Sequence, residues 1–247
     1  MRLTANTIKL IAILAMTLDH AAWFLFPGYA RAPLPLVMHL IGRITCPIMC
    51  YFVAEGYHHT RNVKRYTARM LTFALVSHFA YFFAFRRVEG LHSFLPFADG
   101  NLLNQTSVMW PLACGLLMLR AVNSERIRSE RQKEALVLLL CVLSLPGDWS
   151  CIASLCVLAI GTNRGNFRSQ MRWMLLYVGM YALVYVLTLD PLYGILQMGV
   201  ALSIPILKQY NGQRGRGRRT NAFMKWLFYL YYPLHLFIIG LIGGNVL

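Results

Sequence analysis

An acid and an imidazole stand side by side at Asp19-His20, in the stretch TLDHAAWF, preceded by IKLIAILAM. Charge inside an apolar helix is costly unless partnered, so the pair either marks a helix end or does chemistry. A neutral histidine in such a place can act as a general base. Further along, in PLVMHLIGRITCPIMCYFVAEGY, His39 and Arg43 lie four apart and so share a helix face. Arg43 does not give up its proton, and it therefore needs a carboxylate, a phosphate or water beside it. Asp19 could serve as its counter-ion. Neighbouring helix positions point about 100° apart, so Asp19 could neutralise Arg43 while His20 looks into a cavity. Pro47 frees backbone carbonyls around the turn Cys46–Cys50, which suits a helix lining polar space. Glu55 lies roughly 18 Å further along the axis. His78 and His235, the latter within YYPLHLF, are either hydrogen-bonded core residues or members of the same site.

A second kind of chemistry sits in the loops. HHTRNVKRYTAR carries Arg61, Lys64 and Arg65, and YNGQRGRGRR carries Arg214, Arg216 and Arg218 among glycines. Flexible chain with dense positive charge can hold a polyphosphate or an acidic headgroup. Retention of these loops on the cytoplasmic side of a membrane accounts for a few of the charges, less readily for the Gly-Arg repetition.

The elements that must position these groups are apolar. Of 247 residues, 57% are hydrophobic and only 13% charged, which places the chain outside soluble domains. The formal charge of +15 is not that of a nucleic-acid binder, because Lys and Arg fall in short loops between apolar runs. The six cysteines lie in or beside apolar runs without zinc-site spacing, which makes them small buried hydrophobes and gives no metal site. No small-residue cleavage site follows the first run, which reads as a retained membrane helix.

A helix crossing a bilayer needs roughly 20 apolar residues, fewer within a bundle. On that measure nine segments emerge: 8–26, 36–57, 68–86, 105–121, 134–147, 149–163, 173–189, 191–208 and 223–244. The fifth and sixth, joined by SLPGDWSC, and the seventh and eighth, joined at Asp190-Pro191, read as hairpins or re-entrant pairs. With a cytoplasmic N-terminus, every Lys and Arg except Arg31, Arg43, Arg86 and Arg87 falls inside. The expectation is a single-domain (1–247), all-α, polytopic bundle of about nine helices. Asp19-His20 then lies near its outer face, where Trp23, Phe24, Phe26 and Tyr29 anchor to the interface.

Two function classes fit a polar cavity with a base near the outer face and a basic mouth inside. One is transfer of an activated acyl group, with His20 as base, Arg43 stabilising the carbonyl oxygen and acetyl-coenzyme A as the polyanionic donor. The other is a transporter using the same Asp, His and Arg; no half-to-half repeat supports it.

The stretches TIKLIAILAMTLDH, HLIGRITCPIMCYFVAEGYHHTRNVKRYTARML, GDWSCIASLCVLAI and KQYNGQRGRGRR, followed by WLFYLYYPLHLF, resemble the TraX family nearly end to end and in order. The resemblance implies an acetyl-coenzyme A-dependent acetyltransferase of the bacterial inner membrane, as in the N-acetylation of conjugative pilin. It is similar in character to type 3 membrane acyltransferases, which implies catalysis by His20 and Arg43 and, less directly, by Glu55, Arg61 and His235. The polar segment RRVEGLHSFLPFADGNLLNQTS and Trp149, where the family usually has tyrosine, depart from the pattern. Both bear on the acceptor, which could be a protein amine, a glycan hydroxyl or a lipid headgroup.

Overall fold

A computed structural model describes residues 2–86, 90–95, 97 and 104–243; residues 87–89, 96 and 98–103 of the polar segment noted above, Arg87 among them, lie outside these. No strand forms among the described residues. The helices are α1 (Ala5–Leu25), α2 (Pro33–Gly42), α3 (Thr45–His59), α4 (Val63–Phe85), α5 (Met109–Val122), α6 (Glu130–Ser144), α7 (Ser150–Thr162), α8 (Phe167–Thr188), α9 (Pro191–Gln197), α10 (Ser203–Lys208) and α11 (Arg218–Ile242). Single 3-10 turns occupy Leu91–Phe94 and Met198–Leu202.

With α2 and α3 forming one bent rod, and α9 continuing through its 3-10 turn into α10, the described residues make nine rods in the predicted order. Six are long and apolar enough to cross a membrane, which makes this a multi-pass membrane protein. The helices overrun the apolar segments at their basic ends because the first turns are capped. Asn62 and Asn166 accept from the amides of Arg65 and Ser169, so α4 and α8 begin about a turn before the hydrocarbon does.

The centre of the bundle is a short pair. Helices α5 and α7 have 14 and 13 residues, about 20 Å each against a hydrocarbon core of about 30 Å. They are apolar all round and buried between α3, α4 and α8, as such helices must be. By contrast, α6 buries only Ser144 and turns Leu138, Leu139, Val142 and Leu143 outward.

The ends of the rods alternate as the basic residues predict. Leu3, Ala5 and Asn6 donate to the carbonyls of Gln209, Gln213 and Arg214, and Arg164 reaches His59, so these loops share one end. At the other end, Arg31 pairs with Asp190 and a bridge joins Thr106 to Gly147.

The rod carrying His39 and Arg43 breaks earlier than expected. Instead of loosening at Cys46–Cys50, it interrupts at Arg43–Ile44, because Pro47 has no N–H for the Arg43 carbonyl and its ring excludes that group. The break lets Arg43 turn across the bundle. The close approach of α2 to α1 depends on Gly42: a Cβ there would lie 2.3 Å from the Asp19 Cβ. Gly42→Ala is therefore expected to force α1 from α2 and lower the thermal midpoint of detergent-purified protein. Gly179→Ala, where a Cβ meets nothing within 4 Å, should be neutral or raise it. Fluorescence-detected size-exclusion melts of the two variants check the contrast.

Candidate functional site

Asp19 is the hub of the outer site. Arg43 Nη2 donates to Asp19 Oδ1 and Oδ2 at 2.7 and 2.8 Å, and His39 Nδ1 donates to Oδ1 at 2.8 Å. The remaining Arg43 donors reach the His39 carbonyl from Nε (3.3 Å) and Gln197 Oε1 from Nη1 (2.9 Å). Of the five guanidinium N–H groups these bonds use four, leaving one on Nη1. The guanidinium also lies over the Trp149 ring, 5.5 Å from its centroid. His39 packs between Trp23 and Tyr193, so it orients Asp19 from a buried position.

His20 turns the other way, as two adjacent positions on a helix require. Its Nδ1 lies 2.6 Å from His235 Nε2, with the rings parallel to within 3°. His235 Nδ1 lies 2.7 Å from the Tyr231 carbonyl, which can only accept. His235 therefore carries its proton on Nδ1, its Nε2 accepts, and His20 must donate from Nδ1. That leaves His20 Nε2 unprotonated, with no hydrogen bond among the described residues. Thr17 and Tyr231 close the same helix pair with a 2.6 Å hydroxyl bond.

Asp19, His20 and Arg43 line one cavity of about 320 Å³, with Gln197, Asp148 and several aromatic rings, among them Trp23, Tyr81 and Tyr181. Asp148 was not singled out from the sequence as a site residue. Its amide is tied to the Thr106 carbonyl, and the next two residues, Trp149 and Ser150, both have left-handed backbone at φ 64° and 50°. Strain of that kind in non-glycine residues persists where the surroundings hold it. Burial pushes the Asp148 carboxyl up to about 6, against the opposing pull of Arg43 and with Asp19 adding to the rise.

The other sequence candidates scatter. His78 spends one nitrogen on Thr106 and the other on the Phe94 carbonyl, strapping a loop and lying outside the outer cavity's lining. Glu55 sits at the basic end, bonded to His59 and 4.0 Å from Arg164. Arg61, Lys64, Arg65 and Arg216 lie on the exposed surface. Arg214 and Arg218 do line recesses at the basic end. There Arg214 joins Lys9, Arg69 and Lys225 around a chamber of about 110 Å³ that no carboxylate lines. Lys9 lies over the rings of Phe52 and Phe228.

The sequence reading expected one cavity with a basic mouth. Instead, the outer cavity and the basic chamber share no lining residue. On α1 the interval from Lys9 to Asp19, about 15 Å, includes buried Ala12, Ile13, Ala15 and Met16. In the sequence, Lys9, Arg69 and Lys225 are topology signals only, because each sits near a helix end. Asp148 had a signal that could have found it, since the chain has only 9 acidic residues and this one follows a glycine in an apolar turn. Gln197, an amide inside an apolar run, had none.

Fold and site together define a multi-pass membrane protein with a buried Asp–Arg–His network opening into an aromatic cavity. The family model described as TraX protein matches residues 4–243, and the chain belongs to that family. A probable fimbrial assembly protein FimC, serogroup H1, of Dichelobacter nodosus is 28% identical over 242 residues, covering 94% of this chain and 93% of that protein. An uncharacterized protein of Rickettsia prowazekii (strain Madrid E) is 33% identical over 53 residues, covering 22% of this chain and 19% of that protein. No solved structure matches.

Two outcomes follow from this geometry. Asp19→Asn leaves Arg43 buried without its charge partner, and such broken pairs cost about 3–5 kcal/mol, so a fall in thermal midpoint is expected. Asp148 behaves oppositely. Its raised folded pKa means that its contribution to stability is complete below the ordinary carboxylate range and is lost as pH rises through about 6. Asp148→Asn should therefore melt a few degrees higher than the parent at pH 7, and the gap should close towards pH 4. Melts across that range measure both.

Proposed function

We propose that this protein is an acetyl-coenzyme A-dependent acetyltransferase of the bacterial cytoplasmic membrane, with its basic end in the cytosol and its acceptor at the outer face. The observation that carries the reading is the hydrogen-bond chain from the Tyr231 carbonyl through His235 to His20, which leaves Nε2 of His20 as a base in a cavity shared with Arg43. Membership of the TraX family supports it, as does the likeness to a fimbrial assembly protein, which favours a pilus or fimbrial subunit as acceptor.

In this reading His20 Nε2 takes a proton from the acceptor amine or hydroxyl as that group attacks the thioester carbonyl. The free Nη1 hydrogen of Arg43 meets the developing oxyanion. Collapse expels the coenzyme thiolate, which takes the proton back from His20. His235 is a positioning residue, fixing the tautomer. The nucleotide phosphates dock among Lys9, Arg69, Arg214 and Lys225. The donor's arm must then pass the packed layer in which Met16 of α1 and Tyr232 of α11 are both buried, so transfer requires that layer to part.

The same packed layer favours a second reading, a transporter whose substrate meets Asp19, His20 and Arg43 and whose two chambers open in turn. The two part company on a covalent mark. Incubating membranes with isotopically labelled acetyl-coenzyme A should acetylate an envelope component in the parent and not in His20→Ala. His235→Gln should retain a reduced rate with unchanged donor affinity, because its role is orientation. Uptake or efflux without any acetylated product would support the transporter.

A further inference from the structure

The widest opening described lies away from the site. A crevice of about 990 Å³ separates α8 from α10 at the basic end. It exists because α8 packs on α9 and the following 3-10 turn, while α10 leans on α3, so two rods that meet at the outer end diverge toward the other. Met171 of α8 and Ile204 and Leu207 of α10 give it apolar walls. Its rim is Arg168, Arg172 and Lys208, all exposed, and no carboxylate lines it. None of the three has an ion pair among the described residues.

Arg168 and Arg172 stand at i and i+4 on one helix face, where like charges repel. Topology alone asks only that they lie on the basic side. It does not ask that they converge with Lys208 over an apolar cleft between diverging helices. An open gap of this kind within a bilayer fills with an acyl chain, and basic pockets between membrane helices on the cytoplasmic side bind anionic headgroups.

We propose that the crevice holds one anionic phospholipid, its phosphate between Arg168, Arg172 and Lys208 and an acyl chain against Met171, Ile204 and Leu207. The proposal is independent of the acetyl-transfer reading. The test is native mass spectrometry of detergent-purified protein with added phosphatidylglycerol or phosphatidylcholine. Phosphatidylglycerol should be retained selectively. Its apparent affinity should fall about fivefold for each cation removed in Arg168→Gln, Arg172→Gln and Lys208→Gln. Ile204→Trp, which fills the cleft and keeps the charges, should displace the lipid as well. Equal retention of phosphatidylcholine, undiminished binding by the triple variant, or undiminished binding by Ile204→Trp would each overturn it.

Discussion

The arrangement depends on a carboxylate and a guanidinium that cannot be left alone in hydrocarbon. Asp19 and Arg43 come from different rods, and their pairing fixes where those rods touch. Gly42 permits the contact, Pro47 supplies the break that lets Arg43 reach across, and His39 and Gln197 take up the hydrogen bonds the pair leaves over. Three segments distant in sequence, around Asp19, from His39 to Pro47, and at Gln197, are thus committed to one geometry. A buried ion pair is weak evidence for added stability, but removing either partner is expensive, so the pair acts as a register pin.

Around that pin, the neighbouring His20 is free for a different task. Its partner His235 sits on α11, which runs beside α1 and is closed against it by Thr17 and Tyr231. Asp19 therefore ties α1 to α2, and His20 ties it to α11. The cavity lies between these two connections, walled by aromatic rings that give it apolar surface while Asp148 and Asp19 supply charge. At the basic end the logic is reversed, with Lys9, Arg69, Arg214 and Lys225 gathered around a chamber that no carboxylate lines.

Much of this was legible because membrane insertion makes hydropathy and charge strong signals. The nine segments, their alternation and the division of roles between Asp19 and His20 all rest on helix geometry and the cost of buried charge. Helix ends were less legible, since a cap such as Asn62 or Asn166 extends a helix beyond its apolar run. The position of the break in the second rod required knowing that the carbonyl four residues before Pro47 belongs to Arg43. Gln197 carries no sequence signal, and Lys9 and Lys225 read as topology alone, because the groups they meet are remote in sequence. The layer dividing the chambers escaped for the same reason, since it is built from apolar residues of several helices that look alike in isolation.

The shortness of α5 and α7 bears on the electrical profile of the molecule. Recesses entering from both faces leave an insulating interval of about 15 Å between Lys9 and Asp19, against about 30 Å of hydrocarbon elsewhere. Membrane voltage falling across half the distance gives about twice the local field. A charged group crossing that interval would do work against almost the entire potential within a few helical turns.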